Sequence, residues 1–196
     1  MGCFWEPSES LLKVDGVIDT VAGYTGNPSV SKAPTYDNVC FGRKWVEGVR
    51  VMYDDDKISY EELLEAFFVT QNPKMGSRQY ASIIFPYDDE QDRIAKNWIQ
   101  ENVSRARPDG WTPQMTSIEE KTKFFQAEGY HQRYWQKQRP RLGAILGLLA
   151  IATGILDPIV PEAYQQTVVT AANSAVLLAG IGILLERKID AKVVEL

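Results

Sequence analysis

The chain has 196 residues, enough for one medium-sized domain with an appendage. Its net charge of −5 and the lack of a basic run argue against a nucleic-acid partner, because phosphate backbones attract a basic surface. Two cysteines and a single histidine exclude a disulfide scaffold and a Cys/His zinc site, so we expect no metal centre and a reducing compartment.

No signal or transit peptide is apparent at the start of the sequence. Met1 is interpreted either as an internal residue of a longer precursor or as the first residue of a mature chain. Residues 1–138 have the mixed composition of a globular domain, and we assign them to one domain.

Helix and strand patterns alternate along this first domain. Helices are predicted, in chain order, at WEPSESLLK, SYEELLEAFF, DDEQDRIAKNWIQENV and residues 124–137. Strands are predicted at GVIDTVAGY, WVEGVRVMY, QYASIIF and MTSIEE. Ser59 and Glu62 form a capping box that marks one helix start. The pattern predicts an α+β fold in which helices pack on a mainly antiparallel sheet, a two-layer sandwich.

The composition changes sharply after residue 138. Two uncharged stretches, 142–156 and 167–185, are separated by the segment DPIVPEAYQQ. The second stretch is close to the roughly 20 residues that cross a bilayer. We therefore assign 139–196 to a two-helix transmembrane hairpin with a short C-terminal tail. A buried helical hairpin packed on the soluble domain is the alternative.

Small residues recur at helical spacing in the predicted hairpin. They are Gly143 and Gly147 in the first stretch, and Ala171, Ala175 and Ala179 in the second. In lipid, such residues allow two helices to approach closely.

Basic residues flank the hairpin and predict its orientation. Arg139 and Arg141 precede the first stretch, Arg187 and Lys188 follow the second, and the loop between them carries no Lys or Arg. By the positive-inside rule, the large domain faces the cytosolic or stromal side, which is also the reducing side. A plastid membrane is one candidate location.

The opening residues MGCFWE place a thiol beside two large aromatic side chains. A helix that begins near Glu6 or Pro7 would put Cys3 just ahead of its N-terminus, where free N–H groups stabilise an anion. We expect the pKa of Cys3 to fall below about 8.5 and Phe4 and Trp5 to wall an apolar pocket. The alternative is that Cys3 is an inert small hydrophobic residue.

Seven segments resemble the A-type peptide methionine sulfoxide reductases. They are GCFW, GVIDTVAGYTG, PTYDNVC, VRVMYD, ISYEELLEAFF, QYASIIF and YHQRYWQK. The resemblance covers about residues 2–137, and the hydrophobic tail lies outside it. It implies the reductase-like sandwich fold and reduction of methionine (S)-S-oxide in proteins or peptides. It also implies no bound cofactor and an external thiol reductant such as thioredoxin.

The resemblance assigns a role to six residues. Cys3 matches the nucleophile that attacks the sulfoxide sulfur, and Glu47 matches the acid that protonates the oxygen as the S–O bond breaks. Two aromatic residues match the pocket for the substrate methyl group, and two phenols match the hydrogen-bond donors to the oxygen: Phe4 and Trp5, then Tyr36 and Tyr80. The attack leaves Cys3 as a sulfenic acid, which a second thiol must reduce.

Three departures from the family pattern motivate a second hypothesis. The segment before Glu47 reads Lys44-Trp45-Val46, the loop before Tyr80 lacks the family's aspartate, and Glu6 follows GCFW. A carboxylate as close as Glu6 would disfavour the Cys3 thiolate. The alternative function is a catalytically weakened or inactive subunit with a structural role in a membrane protein complex, with photosynthetic and respiratory complexes as candidates.

The source of the second thiol is open at this point. An external thiol reduces Cys3, or Cys40 does so, or there is no turnover. Cys40 matches a family position that is not usually the resolving cysteine, and we favour a buried small hydrophobic residue there. His131 is interpreted as a structural hydrogen-bonding residue.

Overall fold

The computed structural model describes residues 1–29 and 32–196, which form two compact units. The first unit comprises Met1–Gln132 together with Val193–Leu196, and the second comprises Arg133–Lys192. The last four residues join the first unit because they add a short strand to its sheet.

The first unit alternates helices and strands along the chain. In order they are α1 (Trp5–Leu12), β1 (Val17–Thr25), α2 (Tyr36–Phe41), β2 (Val46–Tyr53), α3 (Tyr60–Thr70), β3 (Ile83–Ile84), α4 (Asp89–Glu101), β4 (Ser117–Ile118), β5 (Phe125–Gln126) and, at its C-terminal end, β6 (Val194–Glu195). Four strands form an antiparallel sheet in the order β2-β1-β5-β6. The predicted α+β class with a mainly antiparallel sheet is confirmed.

The predicted capping box begins α3. Ser59 accepts a hydrogen bond from the Glu62 N–H, and the Glu62 carboxylate accepts one from the Ser59 N–H. Two N–H groups that the helix leaves free are thereby satisfied, which fixes where α3 starts. The acid-rich start of α4 has a similar cap, with Asp88 accepting from the Gln91 N–H.

Two sequence predictions differ from the structure. The segment QYASIIF contains only the two-residue strand β3, which pairs in parallel with β4. The helix predicted over 124–137 is wrong for residues 124–133, because they include β5 beside β1 and a 3₁₀ turn, Gly129–His131, whereas 134–137 begin α5. The side chain of Gln132 bonds both the N–H and the carbonyl of Ala22, which secures this segment against the sheet.

Two apolar clusters stabilise the first unit. One lies among α1, α3 and α4 and includes Leu11, Leu64, Phe68 and Trp98. The other packs against the sheet; its buried members are Phe4, Ala22, Tyr24, Val39, Trp45, Phe125 and Ala127. Each large side chain buried this way contributes about 1.5–3 kcal/mol. Cys3 and Trp5 pack against the second cluster, which therefore holds the segment that contains the thiol.

The second unit consists of two helices, α5 (Tyr134–Ala152) and α6 (Glu162–Ile189), which pack against each other. At one end, Glu186 of α6 pairs with Arg141 of α5 at 2.5 Å and with Lys137 at 3.5 Å. The two predicted helices are therefore present, although α5 starts earlier than the uncharged stretch and includes three basic residues.

Among the described residues, α6 alone is long and apolar enough to cross a membrane. Its 28 residues extend about 42 Å, against about 30 Å for a hydrocarbon core. The criterion depends on length and composition, and core helices of soluble proteins meet it as well. In this unit, however, Ala172 is the only residue of α6 that is buried.

Only some of the small residues lie where the two helices pack. Space is open where a Cβ would extend from Gly143 or Gly147, so these glycines do not form the close contact between α5 and α6. On α6, Ala172 is buried and Ala171 is exposed, whereas Ala175 and Ala179 are partly buried. The packed face of α6 therefore includes Ala175 and Ala179 but not Ala171.

Candidate active site

Cys3 lies immediately before helix α1. The helix begins at Trp5 with Phe4 as its N-cap, and the Trp5 N–H donates a hydrogen bond to the Cys3 sulfur. The preceding Gly2 has φ +83°, and a Cβ there would lie 2.0 Å from the Asn72 carbonyl oxygen, so the turn requires glycine. Cys3 remains partly exposed. The thiol therefore meets the helix N-terminus as predicted.

The ionisation of Cys3 differs from the prediction. Burial, together with the negative charge and hydrogen bonding of Glu47, raises the pKa of Cys3 to about 11. The Trp5 N–H and the charge of Lys74 lower that pKa, but burial has the largest effect. The expected fall in pKa is therefore wrong for the free protein, and the carboxyl group that acts on the thiol is Glu47 rather than Glu6.

Glu47 is buried at the start of β2, directly opposite Tyr24 of β1, and is 3% exposed. Its carboxyl group accepts hydrogen bonds from the Phe4 N–H at 3.1 Å, from the Gln79 side chain at 2.7 Å and from the Cys3 thiol. Burial raises the pKa of Glu47, although all three hydrogen bonds act in the opposite direction. The protonated carboxyl group thus persists to a higher pH beside the sulfur.

Two phenols lie in the electrostatic field of this pair. Burial raises the pKa of Tyr80 to about 12, with further increases from the charges of Glu47, Cys3 and Cys40. Burial also raises the pKa of Tyr36, which hydrogen-bonds to Cys40 and interacts with Glu47 and Tyr80. Both phenols therefore keep their protons at neutral pH and can donate hydrogen bonds.

The aromatic residues after Cys3 are held by a histidine. The Trp5 indole N–H donates to His131 Nδ1 at 2.9 Å, and the two rings lie 5.7 Å apart. The ring of Phe4 contacts both Tyr24 and His131 and is 1% exposed, so Phe4 belongs to the core behind the site. Trp5 is partly exposed. His131 also lies 5.4 Å from the ring of Tyr36.

The six residues selected from the sequence thus converge on one region of the first unit. Cys3 and Glu47 are hydrogen-bonded, and Phe4 and Trp5 follow Cys3 in the chain. Tyr36 and Tyr80 interact with the Glu47 charge. Their sequence positions span α1, α2, β2 and the loop before β3, so the sheet and its connections bring them together.

Two residues of this region were not selected from the sequence. Gln79 bonds the Glu47 carboxyl group, and its amide nitrogen also lies 3.7 Å from Cys40 Sγ. Lys74 places its Nζ 5.0 Å from the ring centre of Tyr80. Both lie in NPKMGSRQY, the segment that differs from the family pattern. Their closeness to Tyr80 in the sequence is the feature that could have identified them as site residues. Lys74 is also the basic residue whose charge lowers the pKa of Cys3.

Within the part of the chain that the structure describes, no group of three or more His, Cys, Asp or Glu side chains could hold a metal ion. The site instead offers a thiol, a buried carboxyl group and two phenols. Such a set can transfer protons and form a bond to sulfur.

The family model for peptide methionine sulfoxide reductase matches residues 1–146. The chain therefore belongs to the peptide methionine sulfoxide reductase family. The matched region contains the complete thiol–carboxyl site and ends within α5, so α6 lies outside it. The resemblance noted from GCFW and the later segments is confirmed.

Curated relatives align with this chain over a region of the same length as the family match. A peptide methionine sulfoxide reductase MsrA from Rhodospirillum centenum is 39% identical over 146 residues, which cover 70% of this chain and 66% of that protein. Another from Methanococcus maripaludis is 38% identical over 146 residues, covering 70% of this chain and 89% of the relative. The chain thus spans just under two thirds of the first relative's length.

A solved structure supports the fold assignment. Methionine sulfoxide reductase A of Corynebacterium diphtheriae matches with a TM-score of 0.55 and 25% identity. The match covers 71% of this chain and 72% of that one.

Proposed function

We propose that this protein is a membrane-anchored peptide methionine (S)-S-oxide reductase in which Cys3 attacks the sulfoxide sulfur. The observation that carries the proposal is the hydrogen bond between Cys3 and the buried carboxyl group of Glu47. A sulfoxide oxygen leaves readily only when it is protonated, so the nucleophile and the proton donor must act at neighbouring atoms.

Cys3 and Glu47 together supply the nucleophile and the proton that the reaction needs. Glu47 donates its proton to the sulfoxide oxygen, while the Cys3 sulfur attacks the sulfoxide sulfur and its own proton passes to Glu47. The attack forms a bond between the two sulfur atoms. The protonated oxygen then moves to the Cys3 sulfur, as the S–O bond of the substrate and the new S–S bond both break. The products are methionine and the Cys3 sulfenic acid. In the resting site the high pKa of Cys3 keeps the thiol protonated, so its proton is available for this transfer.

The surrounding side chains fit the substrate's remaining parts. Tyr36 and Tyr80 would donate hydrogen bonds to the sulfoxide oxygen, since both keep their protons at neutral pH. Trp5, held by His131 and partly exposed, would contact the methyl group in front of the buried Phe4 ring. An external thiol reductant such as thioredoxin would return the enzyme to its reduced state.

The apolar surface of the second unit supports membrane anchoring. Several large side chains of α6 are substantially exposed, among them Leu177 at 65%, Leu178 at 67% and Leu184 at 67%. A soluble surface rarely presents such a continuous apolar face. The basic residues Arg139, Arg141, Arg187 and Lys188 support an orientation with both ends on the cytosolic or stromal side. This orientation requires the uncharged part of α5 and the loop after it to cross the membrane together with α6.

The reductase activity is tested with the full chain in mild detergent and the separated epimers of an N-acetylmethionine sulfoxide. We expect dithiothreitol-dependent methionine formation from the S epimer, and loss of that activity in Cys3→Ser. Lack of turnover by the folded wild type would contradict the proposal. Anchoring is tested separately by reconstitution into phospholipid vesicles, where resistance to extraction at alkaline pH is expected.

A second candidate function is a weakened reductase that serves as a structural subunit of a membrane complex. The high pKa of Cys3 favours it, because a thiol is a poorer nucleophile than a thiolate. It predicts stable co-purification with a large membrane assembly and negligible sulfoxide reduction. Release from membranes as an active, uncomplexed protein would contradict it.

A further inference from the structure

The two cysteines of the sequence lie around the same acid. Gln79 links them: its side-chain amide donates 2.7 Å to Glu47, which bonds Cys3, and lies 3.7 Å from Cys40 Sγ. Cys40 is partly exposed, so the expectation of a buried small hydrophobic residue is not met. A chain of contacts through the Glu47 carboxyl group and the Gln79 amide therefore connects the two sulfur atoms.

The phenols give an independent indication of the same arrangement. Tyr80 interacts electrostatically with both Cys3 and Cys40. Tyr36 hydrogen-bonds to Cys40 and also interacts electrostatically with Glu47. Tyr80 thus interacts with both thiols, and Tyr36 contacts Cys40. Cys40 therefore lies beside groups that are proposed to surround the sulfoxide oxygen.

We propose that Cys40 is the resolving thiol, which condenses with the Cys3 sulfenic acid to form an intramolecular disulfide. This inference rests on the proposed function, which supplies the oxidised Cys3. The Cys40 sulfur attacks the Cys3 sulfur, the S–S bond forms and the S–O bond of the sulfenic acid breaks. The departing oxygen takes the Cys40 proton and leaves as water, so no further oxidant is required.

The disulfide requires the helix that carries Cys40 to approach Cys3, because bridged cysteines have Cα atoms within about 7 Å. Helix α2 has six residues, and Val39 is its one buried side chain. Its neighbour Phe41 is 80% exposed. An element with so few buried contacts shifts at a low free-energy cost. An external reductant could then reach the disulfide at the Cys40 sulfur, because Cys40 is partly exposed.

The test is a single turnover by the pre-reduced full chain in mild detergent with excess sulfoxide and no thiol. Methionine, free thiols and non-reducing peptide maps are measured. The proposal predicts that both of the chain's two thiols are lost per methionine formed and that the peptides of Cys3 and Cys40 are linked within one chain. Cys40→Ser should lose one thiol and leave a sulfenic acid that dimedone traps. The neighbouring variant Phe41→Ser, which keeps both thiols, should still form the disulfide.

The outcomes separate this inference from the proposed function. Methionine formation with loss of only one wild-type thiol, or with a disulfide between chains, would overturn the role of Cys40 and leave the reductase intact. No methionine would instead count against the reductase. In that case the chain is treated with hydrogen peroxide, and oxidation of Cys3 is verified by mass spectrometry. Continued alkylation of Cys40 in chains whose Cys3 is oxidised would overturn the inference.

Discussion

The side-chain amide of Gln79 donates a 2.7 Å hydrogen bond to the carboxyl group of Glu47. Gln79 precedes Tyr80 in the chain, and its backbone carbonyl also accepts a 2.9 Å hydrogen bond from the Glu47 N–H. The acid is thus held at two points by one residue. This double contact couples the position of the proton donor to the loop that carries Tyr80.

Gln79→Leu should slow sulfoxide reduction and move its pH dependence. The lost bond stabilises the ionised carboxyl group, so without it the pKa of Glu47 rises further and activity persists to higher pH. We expect the rate at the optimum to fall about fivefold, as for a lost interaction of about 1 kcal/mol. A pH–rate profile checks this. Gln114→Leu, at an exposed position away from the site, is the matched control and should leave the profile unchanged.

The protonation of Glu47 should also appear in the stability of the first unit. Burial raises the pKa of Glu47 in the folded chain above the 4.5 of a free side chain. A raised pKa favours folding fully below the unfolded value, and the benefit is lost as the pH rises through the folded value. Urea midpoints of the wild type should therefore fall over that interval. Glu47→Gln should lack this fall, whereas the exposed Glu61→Gln should retain it; parallel curves for wild type and Glu47→Gln would contradict the assignment.

Alkylation of Cys3 should report a protonated thiol. With a pKa of about 11, the rate of reaction with iodoacetamide should rise about tenfold per pH unit across the neutral range, with no plateau below pH 10. Lys74→Gln removes a charge that lowers this pKa and should slow alkylation at pH 8 by about twofold. Lys96→Gln, which removes a cation from α4, should have no effect. Mass spectrometry in a Cys40→Ser background isolates the Cys3 rate, and a plateau near pH 7 would refute the high pKa.

Membrane insertion should depend on the middle of α6. Leu178→Arg places a charge where the helix would be surrounded by lipid, at a cost of about 2.5–3.5 kcal/mol for insertion. The variant should partition to the soluble fraction or aggregate when it is produced with vesicles. Val103→Arg, at an exposed apolar position of the first unit, should insert as the wild type does. Equal insertion of both variants would exclude a spanning role for α6.

Local patterns predicted the long elements well. The alternation in β1 and β2 and the capping box at Ser59 act within a few residues, so the sequence contained their signal. The segment after Phe124 was predicted wrongly because its form is set by distant partners. Phe125 pairs with Tyr24, and Gln132 bonds Ala22, contacts that no local periodicity encodes.

In the candidate site, too, local features were predicted correctly and features set by distant contacts were not. Family motifs led to Cys3 and Glu47, and the helix start explained why an N–H group faces the sulfur. The direction of the Cys3 pKa was predicted wrongly because burial and the neighbouring Glu47 outweigh the helix N-terminus, and both depend on tertiary structure. Gln79 was missed for a related reason, since its partners lie 32 and 39 positions away in the chain.

The most direct test of the account is the yield of methionine in one turnover with the S epimer and no external thiol. The wild type should form about one methionine per chain within the time of mixing and analysis, and Cys3→Ser should form none. Glu47→Gln should form it roughly 10²–10⁴-fold more slowly, since a positioned proton donor contributes about that much. A folded wild type that forms no methionine, or a Glu47→Gln variant as fast as the wild type, would contradict attack by Cys3 with proton transfer from Glu47.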